Sequence, residues 1–396
     1  MTTERRPCTT VKRSIFWLSA SLILKVRVPA CRTKNWGNMK VLANNCVSKI
    51  EIPEGVTYSG NGVAYNPVLG LFVTVDCVEG ISVWNPVSRE LMAECDLGPD
   101  VDLNMTLLPG NRIAVSHSEP NHWSSVEILS LEEDTFGNSP ELDLKVPSLT
   151  YPGVIALTPR KSLLVAGSGQ MAFNEIFIDW NNLNVLNTRE LRVPLPPLRE
   201  GCGEVRMLCC SPDGKVIRAE YDKHAFSSLT VSKICPSSEQ KDQGSKEENE
   251  EKKELEQIEM QEEATISYYM LDGEKNKIEH LRGCIHDGQN LIIAEGENIV
   301  LLESLTEGSN AHLLVSGLKP VVKGSREEVG LNLNHKGQLM VCDDKEFIKV
   351  FEYKCSPRSL QDICRSAIVD TIQTGYSDKV KSMTIPSTLK DYLLYK

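Results

Sequence analysis

The chain has 396 residues, 41% of them hydrophobic, which is enough to bury one large core or two modest ones and too much for a disordered protein. With 43 Lys and Arg against 54 Asp and Glu, the formal charge of -11 repels phosphate backbones and excludes nucleic-acid binding as the main activity. The 13 cysteines are scattered, odd in number and without a Cys-x-x-Cys pair, so they suggest neither a zinc site nor a disulfide framework and fit reduced thiols in the cytoplasm or nucleus.

At the N-terminus Arg5, Arg6, Lys12 and Arg13 precede an apolar run from Ser14 to Leu24, followed directly by Lys25 and Arg27. A bilayer span needs about 20 apolar residues, and this run falls well short, so no membrane crossing is expected. Residues 1–38 read as an unstructured leader, or as sequence outside the folded protein, with a secretory signal cleaved near Val28-Pro29-Ala30 as the alternative. Asn104-Met105-Thr106 fits a glycosylation acceptor, but it lies in a strand-like stretch and reads as a chance triplet.

From about Met39 a unit recurs in which an apolar residue leads into a polar turn and then an apolar triplet. Six copies follow in order: Tyr65-Asn66-Pro67 with Leu71-Phe72-Val73, Leu108-Pro109-Gly110 with Ile113-Ala114-Val115, Leu157-Thr158-Pro159 with Leu163-Leu164-Val165, Cys210-Ser211-Pro212-Asp213-Gly214 with Val216-Ile217, Ile285-His286-Asp287-Gly288 with Leu291-Ile292-Ile293, and Leu333-Asn334-His335-Lys336-Gly337 with Leu339-Met340-Val341. Each copy is a hairpin signal. The second strands end at Val75, Ser116, Ala166, Ala219, Ala294 and Cys342, at intervals of 41, 50, 53, 75 and 48 residues. Third strands continue from Asp76 to Ile81, Val83 and Trp84, and from Asp343 to Ile348, Val350 and Phe351, with identical offsets.

Short strands at this period predict an all-β propeller over residues 39–355, with six blades, or seven if one copy is degenerate. The last unit stops after three strands, and the unpaired segment Val47 to Pro53 is positioned to supply the fourth and close the ring. The body resembles WD-repeat and NHL-type propellers, although the Gly-His and Trp-Asp signatures of the former are absent. Residues 239–263 hold eleven Asp or Glu against four Lys and no aromatic residue, and read as a disordered or partly helical surface insert between strands Ser227 to Ile234 and Ala264 to Met270. His122, Trp123 and Met171 to Phe173 are candidate exposed loop contacts for a protein partner.

After the propeller the period changes. Leu360, Ile363, Cys364, Ala367, Ile368 and Ile372 fall on one face of a helix, with Ser356 as its cap and Pro357 at its first position. A second short helix is expected after Thr388, with Leu389, Tyr392 and Leu393 on one side. Ser359-Leu360-x-x-x-Cys364-x-x-x-Ile368 resembles the elongin-binding box that opens SOCS-box domains, and Val380, Met383-Thr384-Ile385-Pro386, Leu389 and Tyr392-Leu393 resemble the cullin-binding pattern that follows it. Thr384 stands where that pattern has its first proline, and Met383 where it has leucine.

The resemblance implies a small all-α SOCS box over residues 356–396, with Leu360, Cys364 and Ile368 binding elongin C and Val380, Met383, Ile385, Pro386, Leu389, Tyr392 and Leu393 binding the cullin. It further implies the substrate-recognition subunit of an elongin B/C–cullin–RING ubiquitin ligase, with cullin-5, its RING subunit and an unknown protein substrate as partners. Such a subunit is a non-catalytic adaptor with no cofactor, no metal and no nucleic-acid or membrane partner. The alternatives are a plain scaffold propeller or a metal-dependent hydrolase propeller using carboxylates such as Asp76, Glu295, Asp343 and Asp344.

Overall fold

A computed structural model describes residues 46–54, 56, 62–66, 69–76, 80–95, 104–118, 124–131, 141–145, 154–166, 172–192, 202–222, 225–236, 258–319, 328–334, 337–343, 346–352, 376–387 and 390. The leader expected over 1–38 lies outside them. The strands build six antiparallel four-stranded blades. Blade one is β2 (Val63–Asn66), β3 (Leu71–Asp76), β4 (Gly80–Trp84) and β5 (Leu91–Cys95), and blade two is β6 (Asn104–Leu108), β7 (Arg112–Ser118), β8 (Ser124–Ser130) and β9 (Leu142–Lys145). Blade three is β10 (Ile155–Leu157), β11 (Leu163–Ala166), β12 (Ala172–Asp179) and β13 (Asn184–Arg192), and blade four is β14 (Cys202–Cys210), β15 (Lys215–Asp222), β16 (Ala225–Pro236) and β17 (Ile258–Ile266).

A hairpin of β18 (Tyr268–Leu271) and β19 (Glu274–Lys277) precedes blade five, which is β20 (Leu281–His286), β21 (Leu291–Glu295), β22 (Asn298–Leu302) and β23 (Asn310–Ser316). Blade six holds β24 (Gly330–Leu333), β25 (Leu339–Cys342) and β26 (Phe347–Phe351), and its outer strand is β1 (Cys46–Glu51). The six expected hairpins are the inner strand pairs of the six blades.

Each inner strand reads as a continuous apolar run because its two faces pack on different neighbours. On β21, Leu291 and Ile293 join blade four's Ile217 and Leu229, while Ile292 and Ala294 join blade six's Leu339 and Val341. The same division produces six apolar clusters, one at each boundary between adjacent blades. Fully burying one such aliphatic side chain contributes about 1.5–3 kcal/mol, so the blades are held by their mutual contacts rather than singly.

The ring closes as expected. β1 pairs antiparallel with β26, Ile50 opposite Ile348, so the two ends of the domain share one sheet. Across the adjoining boundary Trp84 stacks on Phe72 with ring centroids 4.8 Å apart, among Met340, Ile348 and Val350 of blade six. Asn332 also donates from Nδ2 to the Val63 carbonyl at 2.7 Å, a bond between blade six and blade one.

Three expectations need correction. Residues 258–263, assigned to the acidic insert, belong to β17, which pairs with β16 over Pro236↔Ile258 to Leu229↔Ile266. Its glutamates are half-buried or exposed, but Met260 and Ile266 are fully buried, the first towards blade three and the second towards blade five, with a register shift against β16 between them. The segment Ala264 to Met270 is not one strand: it breaks at Ser267, and Tyr268 to Leu271 joins the edge of blade five in parallel with β23. The 75-residue interval between Ala219 and Ala294 therefore contains an extra hairpin as well as an insert. Finally Phe173, taken as an exposed loop contact, is a fully buried residue of β12 with the Arg218 guanidinium over its ring; His122, Trp123 and Met171 lie outside the described residues.

Candidate functional site

Two regions carry the functional question: the propeller's central channel with its rim, and the C-terminal tail. The channel is lined by the inner strands of all six blades, among them Asn104, Cys209, Cys284, His286 and Asn332, around a cavity of about 310 Å³. Asn104 thus lies on the channel wall, which suits the chance reading of its glycosylation triplet.

At the boundary of blades four and five a second cavity, of about 330 Å³, opens between the β14–β15 and β20–β21 turns and is lined by Pro212, Asp213, Lys215, His286, Gln289 and Ser304. Asp213 is held below the usual carboxylate range by the Ser211 hydroxyl that donates to it, with Lys215 and His286 adding favourable charge. The rim thereby keeps a fixed negative charge in a polar crevice. Sequence reasoning found both Asp-Gly turns and missed the crevice, because the turn signal does not say how far apart neighbouring blades hold their tips.

The carboxylates considered for a metal site have local duties. Glu295 accepts from the backbone amides of Glu279 and His280 at 3.0 and 2.9 Å, and burial raises its carboxyl above the usual range. Asp343 pairs with the Lys349 ammonium at 2.9 Å and accepts from the Lys319 amide at 3.3 Å. Among the described residues no group of three or more His, Cys, Asp or Glu is placed to hold a metal ion. The Asp76 side chain and Asp344 lie outside them.

In the tail, a helix α1 spans Tyr376–Ser382. The sequence reading did not anticipate it, because seven residues with one apolar pair, Tyr376 and Val380, give little periodic signal. Val380 is fully buried. The chain then turns sharply, with the Met383 amide donating to the Val380 carbonyl at 3.2 Å. Met383 and Ile385 are half-buried, whereas Thr384 and Pro386 are exposed.

A second helical turn opens at Ser387, one residue before the expected Thr388 cap, with the Lys390 amide donating to the Pro386 carbonyl at 3.0 Å. Lys390 Nζ reaches back to the Lys381 carbonyl at 2.7 Å, placing a cation on the carbonyl-rich end of α1 and tying the two turns into one corner. Of the expected cullin-contact residues, the structure brings Val380, Met383, Ile385 and Pro386 together in this corner. Leu389, Tyr392 and Leu393, and the expected elongin contacts Leu360, Cys364 and Ile368, lie outside the described residues.

Residues 356–394 match the family model described as SOCS box. The chain carries a SOCS box. It follows a six-bladed propeller, and the corner built by Val380 to Lys390 lies in the second half of the box. No curated protein matches the chain in sequence. Among solved structures, a chain of "Crystal Structure of Mitotic Checkpoint Complex" is similar at 12% identity with a TM-score of 0.46, covering 81% of this chain and 95% of that one. Among the described residues no helix is long and apolar enough to cross a membrane.

Proposed function

We propose that this chain is the substrate-recognition subunit of an elongin B/C–cullin–RING ubiquitin ligase. The propeller holds a protein target, and the SOCS box recruits elongin C with elongin B, then cullin-5 and its RING subunit. The observation that carries the reading is the SOCS-box match over residues 356–394.

Leu360 is the central anchor, entering an apolar pocket on elongin C with Cys364 and Ile368 beside it; burying such a leucine contributes about 1.5–3 kcal/mol, enough for a hot spot. Cys364 acts there as a small apolar knob, with no histidine in the tail to activate it. Met383, Ile385 and Pro386 face the cullin together with Leu389, Tyr392 and Leu393. Val380, having no exposed surface in the free chain, supports that corner from inside.

The chain itself performs no chemistry in this reading. It raises the effective concentration of a target's lysines near a charged ubiquitin-conjugating enzyme, a proximity mechanism that needs only two docking surfaces on one chain. It works in the cytoplasm or the nucleus, compartments whose resting poise is reducing. Co-expression with elongins B and C tests the proposal: a stable ternary complex that survives size-exclusion chromatography is expected. A chain that is monodisperse alone and leaves both elongins behind overturns it.

A further inference from the structure

Blades four and five meet at the channel through β14 and β20, neighbouring inner strands that come from well-separated parts of the chain. Each carries a cysteine at this contact, and the Cys209 and Cys284 sulfurs are 3.9 Å apart. Both side chains pack on the same apolar cluster between the blades, both line the channel cavity, and both are only half-buried. Most sides of the pair are therefore protein, but a small molecule entering the channel reaches the sulfurs. Bond formation at about 2 Å requires a further approach of about 2 Å, the scale of a side-chain rotation.

We propose that Cys209 and Cys284 are a modification site, a dithiol oxidised by hydrogen peroxide to a reversible disulfide that staples blade four to blade five across the channel wall. The inference is independent of the ligase reading.

The adjacent Cys210 does not compete. Strand alternation turns it to the opposite face of β14, towards blade three, where burial and then the charge of Glu175 push its thiol up to about 12. Cys209 is also held protonated, first by its hydrogen bond to Cys284 and then by burial, and the contact between the two sulfurs, not their acidity, pairs them. In the first step one sulfur of the pair attacks peroxide as its thiolate: a sulfur–oxygen bond forms, the oxygen–oxygen bond breaks, and hydroxide leaves and is protonated to water. In the second the other sulfur attacks this sulfenic acid: the disulfide forms, the sulfur–oxygen bond breaks, and the second thiol's proton leaves with the oxygen as water. Two thiols thus lose two electrons and two protons, and one peroxide becomes two waters. A dithiol reductant reverses the sum.

The test uses the full chain treated with hydrogen peroxide, blocked with iodoacetamide and digested with trypsin without reduction. The tryptic peptide 207–215 should be joined to the peptide beginning at Gly283, and the product should vanish after dithiothreitol. The link is expected in wild type and in Cys210→Ser, and absent from Cys209→Ser and Cys284→Ser. Oxidised wild type should also unfold several degrees above equally treated Cys284→Ser, since a cross-link between distant segments restricts the unfolded chain. Separate alkylation of Cys209 and Cys284 in peroxide-treated wild type overturns the proposal, and so does a link that survives Cys209→Ser through Cys210. Should a serine variant fail to fold, fragmentation of the linked wild-type peptide decides, because iodoacetamide marks whichever of Cys209 and Cys210 is outside the link.

Discussion

Blade four and blade six each complete their four strands with one that arrives across a gap in the sequence, and the two outer strands are held in different ways. In blade six, β1 comes from the other end of the domain and leaves most of its side chains exposed, only Ile50 being half-buried. Its attachment is the ladder to β26. In blade four, β17 follows residues 237–257 and buries Met260 and Ile266 completely against the neighbouring blades. An outer strand can therefore serve as an edge cover held by backbone pairing, or as part of the core despite an acidic composition.

The difference predicts a ranked set of effects. Met260→Ala leaves a cavity between blades three and four and should lower stability by about 2–5 kcal/mol in chemical denaturation. An unchanged midpoint would mean that β17 is as dispensable as its charge suggests. Deleting residues 46–51 should cost less, on the order of 2 kcal/mol, because few side chains leave the core and the lost ladder bonds are modest in net terms. The bared edge of β26 should instead appear as concentration-dependent association in light scattering.

Thr384→Pro, at an exposed position, should strengthen cullin binding by up to about 1 kcal/mol by fixing the backbone beforehand, with calorimetry as the check. The smallest effect belongs to the gap in blade four. Replacing residues 237–257, which lie between the paired Pro236 and Ile258, with a short Gly-Asn-Ser turn should leave the melting temperature nearly unchanged. Extending the deletion through residue 263 should unfold the blade. That pair of deletions locates the true edge of the insert.

What the sequence made legible follows the same division. The inner hairpins were readable because each needs apolar residues on both faces and a turn between them, so six copies share one pattern even where Lys161 takes the positive φ, 62°, that glycine supplies in most of the others. The closing strand was readable from a missing member, since blade six had three strands and one remained ahead of blade one. β17 is hidden because its two core residues, Met260 and Ile266, face opposite sides of the blade across a register shift and are separated by exposed Gln261, Glu262 and Glu263, which leaves no regular period inside the acidic run. The β18–β19 hairpin was lost because it adds to a blade's outer edge and repeats nothing.

In the tail the order is reversed. Motif spacing identified the box without periodicity, while α1, which carries the buried Val380, is too short to announce itself. The crevice at Asp213 and His286 depends on the spacing between blade tips, which no local pattern encodes.

The claim that the tail recruits elongin rather than caps the propeller turns on Leu360. Wild type and Leu360→Ala should be compared for elongin C binding and for thermal unfolding of the isolated chain. Loss of a central anchor predicts binding weakened by at least about 2 kcal/mol, or about thirtyfold, with the melting temperature unaltered. A melting temperature lowered by an internal cavity, in a chain whose wild type never binds elongin C, would contradict the account.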